Sequence, residues 1–153
     1  MGRLPGHPVR RRGRRPGHRP RGAGRGRVLT AARRLVLLRH GRTGHNAEGL
    51  IQGHLDVPLD DVGRAQADAV AEALAPARPA VVVSSDLSRA RETAVRVAER
   101  ARVPLRLDAR LREVHLGAWQ GLTTEQVRER FPEEHAAWRA GRDVARGSGE
   151  RYA

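Results

Sequence analysis

Cysteine is absent from this 153-residue chain, and so is lysine: all 30 basic residues are arginine. Without cysteine there are no disulfides, no thiolate metal sites and no thiol nucleophile. Aromatic residues are scarce, with one Phe, one Tyr and two Trp, so a core must be assembled from Ala, Val and Leu. No apolar run approaches the ~18 residues of a membrane-spanning helix, which excludes a transmembrane segment. Acids are missing from one end only. Residues 1–34 hold 12 Arg and neither Asp nor Glu, the first acid being Glu48. The other 18 Arg stand against all 17 acids, so the formal charge of +13 belongs to the tail and residues 35–153 carry +1. The length suits one domain.

The tail, MGRLPGHPVRRRGRRPGHRPRGAGRGRVLTAARR, repeats Arg, Gly and Pro with little to bury. Such a composition does not offset chain entropy and is expected to be disordered. Three readings of it stand. An Arg-Gly arm binds nucleic acid weakly and without sequence preference, through phosphate neutralisation, but here it lacks the interleaved aromatics that stack on bases. A targeting peptide would need a longer apolar stretch than Leu35 to Leu38. The third reading, a non-functional extension ahead of a true start near Val28, is favoured. A cytoplasmic location is expected.

From residue 35 the pattern becomes regular. Leu35-Val36-Leu37-Leu38 is a continuous apolar run that predicts a strand buried on both faces. Asp60/Asp61 open a helix to Ala75, with Val62, Ala69, Val70, Ala73 and Leu74 on its apolar face and Pro76 and Pro79 beyond its end. Val81-Val82-Val83 predicts a second buried strand, Ser88 to Ala101 a helix, and Leu105 to Leu107 a third strand. A loop then runs through Glu113 to Gly121. Thr123 or Thr124 caps a helix to Arg130, and a last helical turn or two spans Glu133 to Ala140. Strands alternating with helices predict an α/β fold with a parallel sheet, whose ligands bind at the carboxyl ends of the strands.

Two clusters fall at such ends. Arg39-His40-Gly41-Arg42-Thr43 and Asn46 follow the first strand; Ser84-Ser85-Asp86-Leu87-Ser88-Arg89 and Thr93 follow the second. Arg39 and Arg89 supply forked donors suited to a phosphate dianion. His40 supplies a group that is neutral and nucleophilic near pH 7. Gly41 admits close backbone approach, and Thr43 and Asn46 add neutral hydrogen bonds. None of this chemistry needs a metal or an organic cofactor. His40, His45 and His54 match no compact zinc spacing, and His45 reads as loop or rim. His115 stands equally for substrate contact or structure, Trp119 for a packing anchor, and Trp138 for an ordinary apolar face. A third cluster, Leu111 to Gly121, sets Glu113 beside two glycines and a Trp.

Together RHGRTGHN at 39–46, IQG at 51–53, SSDLSRARETA at 84–94 and LREVHLGAWQGLT at 111–123 resemble the histidine phosphatase superfamily, in its phosphoglycerate mutase-like branch. The last stretch is closer in wording to the phosphatase members than to the glycolytic mutases, and is similar to the actinobacterial glucosyl-3-phosphoglycerate phosphatases. The resemblance implies a three-layer fold, a mostly parallel sheet between helices. It implies a phosphomonoester hydrolase working through phosphohistidine on a small phosphorylated metabolite, with mutase-type transfer as the alternative. His40 would be the nucleophile, its other ring nitrogen held by a backbone carbonyl. Arg39 and Arg89 would bind the phosphoryl oxygens. Glu113 would protonate the leaving alkoxide, its pKa raised by phosphate charge and by burial. Thr43, Asn46, Gln52 and Gly53 would line the phosphate or substrate pocket.

The family also carries a second catalytic histidine, after a later strand beside the first. Only His115 and His135 follow Glu113 here, and neither follows an apolar strand. Gly147-Ser148-Gly149-Glu150 resembles the Gly-Gly-Glu-Ser element preceding that part. The reading is of a domain incomplete at its C-terminus, either an enzyme, an inactive remnant or an arginine-rich nucleic-acid-binding protein.

Overall fold

A computed structural model describes residues 34–151. Contacts divide the chain into two units, Met1–Val36 and Leu37–Ala153. Of the first unit only residues 34–36 are described, so the tail and its expected disorder lie outside the described residues, Arg34 apart. The second unit comprises α1 (Gly44–Ala47), α2 (Asp61–Leu74), β1 (Val82–Ser84), α3 (Ser88–Ala101), β2 (Leu105–Leu107), α4 (Thr124–Arg130) and α5 (Pro132–Arg139), with short 3-10 turns between them.

Local chemistry explains most of these limits. Asp60 caps α2 by accepting from Gly63 N at 2.7 Å. Thr123 and Gln126 form a reciprocal capping box at the start of α4, as Thr43 and Asn46 do for α1. Pro132 opens α5 at a position where its missing N–H is no loss. The elements at 61–74, 88–101, 105–107, 124–130 and 132–139 all stand where the sequence predicts them, within a residue or two.

The sheet is parallel, with Val82, Val83 and Ser84 in register with Leu105, Arg106 and Leu107. It holds two strands among the described residues, and α3 lies against both of them with α2 packed on α3. This is the predicted α/β arrangement with a parallel sheet. Methyl-sized groups make the helix contact: α2 buries Gly63, Ala67 and Ala71, while α3 buries Ala94, Val97 and Ala98. Exposed pairs Arg100–Glu72 and Arg96–Asp68 border it, and such surface bridges add little to stability.

Three expectations need correction. Leu35-Val36-Leu37-Leu38 is neither a strand nor buried, Leu35 being 81% and Leu37 87% exposed. Among the described residues no segment pairs with it, and an apolar run without a ladder partner has no reason to be a strand. The apolar face assigned to α2 was also displaced. Val62, Ala69 and Ala73 are exposed, whereas the buried stripe is Gly63, Ala67 and Ala71, because close packing selected the smallest residues rather than the most apolar. Finally β1 is one residue later than predicted and not fully buried: Val81 and Val83 are exposed while Ser84 is buried.

Candidate active site

The site is built around the turn that carries His40. The His40 Nδ1–H donates to the Gly41 carbonyl at 2.7 Å, leaving Nε2 as the ring's lone-pair nitrogen. The Gly41 N–H donates to Thr93 Oγ1 of α3 at 3.1 Å, and the Thr93 hydroxyl donates to Arg89 O at 2.8 Å. Gly41 is required for proximity, since a Cβ there would lie 3.0 Å from Gly63 Cα and closer still to Gly63 O. A cleft of ≈ 150 Å³ opens beside this turn, lined by Leu38, Arg39, His40, Gln66 and Val70 among others.

Arg89 is 3% exposed. Its guanidinium donates to Gly53 O at 2.7 Å and to Leu55 O at 2.9 Å. Burial lowers its pKa, opposed by the charges of Glu113 and Asp56 and assisted by Arg39; an arginine stays charged regardless. Burial is also the main force lowering the His40 pKa from 6.5, against the Gly41 carbonyl, with Arg89 and then Arg39 adding to the depression and Glu113 opposing it. His40 and Arg89 therefore each lie within electrostatic range of Arg39 and Glu113, although the four come from three distant stretches of sequence.

Thr43 is fully buried and Gln52 nearly so. The Thr43 hydroxyl is 3.0 Å from Gln52 Oε1 and 3.1 Å from Asn46 Oδ1, so the hydrogen bonds of these three residues run to one another. They stiffen the floor of the turn. Gly53 adopts φ +51°, and a side chain there would strike Gln120.

Glu113 stands on the loop after β2. It is exposed, where burial was expected, and its side chain folds back to accept from Val114 N at 2.9 Å. What holds the loop is largely what the sequence left unassigned. The His54 Nε2–H donates to Glu113 O at 2.6 Å, and His54 N donates to Gln120 Oε1 at 2.7 Å. His115 N donates to Glu150 Oε2, and Glu150 N returns a bond to His115 O, each 2.8 Å. Backbone bonds from Ile51 N to Leu122 O and from Gly121 N to Ile51 O lay the Gln52–Gly53 loop against this one. His54 directly follows the IQG motif, and Gln120 and Glu150 lie inside the 111–123 and 147–150 stretches; that placement is the signal that could have found them.

His115 sets its ring edge-on to His54, 5.1 Å between centroids, and its Nδ1 accepts from Gly117 N. Trp119 is a buried anchor, in contact with Phe131, His135 and Trp138. Among the described residues no group of three metal-ligating side chains is placed to hold an ion, and no helix is long and apolar enough to cross a membrane.

The profile of the histidine phosphatase superfamily (branch 1) matches residues 35–153. The chain belongs to that superfamily. It is 50% identical over 119 residues to glucosyl-3-phosphoglycerate phosphatase of Mycobacterium tuberculosis, covering 78% of this chain and 53% of that one. It is 40% identical to the metal-independent phosphoserine phosphatase of Arabidopsis thaliana over 73% of this chain and 48% of that protein. Among solved structures, a mycobacterial glucosyl-3-phosphoglycerate phosphatase complexed with VO3 superposes with a TM-score of 0.69 at 46% identity, over 73% of this chain and 54% of that one. The chain thus spans about half the length of the curated relatives it matches.

In this histidine phosphatase chain one ion pair ties the Glu113 loop to the end of β1. Arg112 grips Asp86 with two nitrogens, its Nε at 2.6 Å. That hydrogen bond holds the Asp86 carboxyl down to about 2, against an ordinary 3.8. A carboxylate depressed in the folded state stabilises it above the ordinary pKa and ceases to do so as pH falls through the lowered value. Asp86→Asn is therefore expected to be less stable than the parent at pH 7, with the difference vanishing on acidification toward about 2. Urea melts at neutral and acid pH check this, and an unchanging difference would refute it.

Proposed function

We propose that this chain carries the nucleophile half of a phosphomonoester hydrolase that works through a phosphohistidine on a small phosphorylated metabolite. The observation that supports it most is the His40 turn: Nδ1–H committed to the Gly41 carbonyl, Nε2 left with its lone pair, and two arginines in electrostatic range. Nε2 would attack phosphorus while the bond to the substrate's ester oxygen breaks, with Arg39 and Arg89 stabilising the equatorial oxygens as charge spreads over them. Glu113 would give its proton to the departing alkoxide. It would then accept one from the water that attacks phosphohistidine, releasing inorganic phosphate and restoring neutral His40. Thr43, Asn46, Gln52 and Gly53 are proposed to shape the pocket floor.

Relatives named as glucosyl-3-phosphoglycerate and phosphoserine phosphatases favour a metabolite whose phosphate sits near a carboxylate. The name of the metal-independent relative agrees with chemistry carried by His40 without a metal. The test is to offer the full chain glucosyl-3-phosphoglycerate, phosphoserine and 3-phosphoglycerate and to assay both free phosphate and phosphate-shifted isomers. Free phosphate is expected; isomer without phosphate would establish a mutase instead. Glu113→Gln should slow poor leaving groups by ~10²–10⁴-fold and good ones much less. An equal loss for both would remove the acid role from Glu113.

Twelve Arg without an acid in residues 1–34 support weak, sequence-indifferent nucleic-acid binding that falls steeply with salt. Binding that survives high salt, or that selects a sequence, would overturn this. Removing residues 1–34 should leave phosphate release unchanged. We also propose a cytoplasmic location.

A further inference from the structure

Gly41 has no side chain to restrict its backbone, yet its carbonyl is the group that holds His40 Nδ1–H. That carbonyl belongs to the Gly41–Arg42 peptide, whose N–H donates to Gln66 Oε1 at 2.8 Å; the His40–Gly41 peptide before it needs a hold of its own if the imidazole is to stay aligned with the carbonyl. The Gly41 N–H is held from α3, by Thr93 Oγ1 at 3.1 Å in a buried bond. Thr93 is 3% exposed, and its hydroxyl proton is committed to Arg89 O at 2.8 Å, one helical turn back. That back-bond fixes the rotor and aims an oxygen lone pair at Gly41. Threonine is otherwise a poor choice for a helix interior of Arg, Ala and Glu.

We propose that Thr93 is a positioning residue for His40: its hydroxyl holds the His40–Gly41 peptide, and so keeps the imidazole aligned with the Gly41 carbonyl in the tautomer and orientation that leave Nε2 free. The same hydroxyl ties this peptide to the helix turn bearing Arg89, so nucleophile and phosphate-binding guanidinium are registered by a single oxygen. The proposal rests on the reading of His40 as the nucleophile through Nε2. A valine fills the same space, with a methyl in place of the hydroxyl. It leaves the buried Gly41 N–H without an acceptor, which favours movement of the peptide. His40 then shifts relative to the Gly41 carbonyl, the Nδ1 bond weakens, and the Nε2–H tautomer, which cannot attack phosphorus, gains population.

The test uses the full chain with ¹⁵N-labelled histidine. Spectra above the His40 pKa should show Nδ1 protonated and Nε2 unprotonated in the parent and in Thr93→Ser. Thr93→Val should show a mixture in which the Nε2 signal moves toward that of a protonated nitrogen. With phosphoramidate as the phosphoryl donor, Thr93→Val should phosphorylate His40 about 10²-fold more slowly, as expected when a reacting atom is displaced by about 1 Å. Thr93→Ser should match the parent. Should Thr93→Val fail to fold, Thr93→Ala takes its place in the same comparison with Thr93→Ser. An unchanged tautomer in Thr93→Val, or a Thr93→Ser protein that behaves like it, overturns the proposal. A tautomer that shifts while no variant takes up phosphate upholds the positioning and instead overturns His40 as nucleophile.

Discussion

His40→Ala is expected to abolish acid-labile phosphorylation of the chain and to reduce phosphate release by at least ~10³-fold, because no second group can take over a covalent step. The expectation follows from position and electronics together. His40 precedes a glycine that approaches α2 at backbone distance, and its Nδ1 is bound to the carbonyl of that same glycine. Its pKa is lowered from 6.5, by burial first and then by Arg89 and Arg39. A histidine held below its ordinary value stays neutral, and so nucleophilic, to lower pH, placing the acid limb of the rate profile below about 6.5. The linkage has a definite sign. As pH falls, the unfolded chain binds the proton before the folded one does, so His40 removes stability between the ordinary and the lowered value. His40→Gln should lack that part of the acid destabilisation. The readouts are ³²P retention after acid and alkali, phosphate release, and urea melts at two pH values. Phosphoenzyme that persists in His40→Ala would end the assignment.

Gly63→Ala should lower stability although helix propensity alone predicts the reverse. Alanine is favoured over glycine inside a helix by about 1 kcal/mol. Gly63, however, lies in the first turn of α2 against the His40 turn. A Cβ there would sit 2.7 Å from Arg42 N and nearer still to Arg42 O. Those atoms are backbone, with no rotamer to give way, and Asp60 N is bonded to the same Arg42 carbonyl at 3.1 Å. Forcing a methyl into such a contact costs about 1–3 kcal/mol or more. That outweighs the propensity gain and should lower the melting temperature by roughly 3–10 °C. The strain falls on the segment carrying His40, so phosphorylation should slow as well. A melting temperature at or above that of the parent would show that α2 does not press on the turn as described.

The comparison with α2 shows where reading the sequence succeeds and where it stops. The starts of α2 and α4 were legible because caps act within a few residues: Asp60 and Thr123 each do locally what their side chains always do. The face of α2 was not legible. Hydrophobicity ranks Val62 above Gly63, whereas the neighbouring backbone leaves room only for hydrogen and methyl. Leu35 to Leu38 failed for a related reason, since strand formation depends on a ladder partner that periodicity cannot supply.

The site divides in the same way. Arg39, His40, Arg89 and Glu113 could be named from sequence because their chemistry is intrinsic to the side chains and their motifs follow in fixed order. Their surroundings had to come from the fold. That Arg89 would be buried on the carbonyls of Gly53 and Leu55, that Glu113 would lie exposed with its own carbonyl held by His54, and that Thr93 would grip Gly41 are all facts of contact between distant segments. The sequence by itself determined which candidate reacting groups this protein possesses and where its helices fall, since both are properties of short stretches of chain. Only the tertiary structure decided which groups are dry and how the His40 turn is held, because burial and the bond from Thr93 depend on atoms brought from elsewhere in the fold.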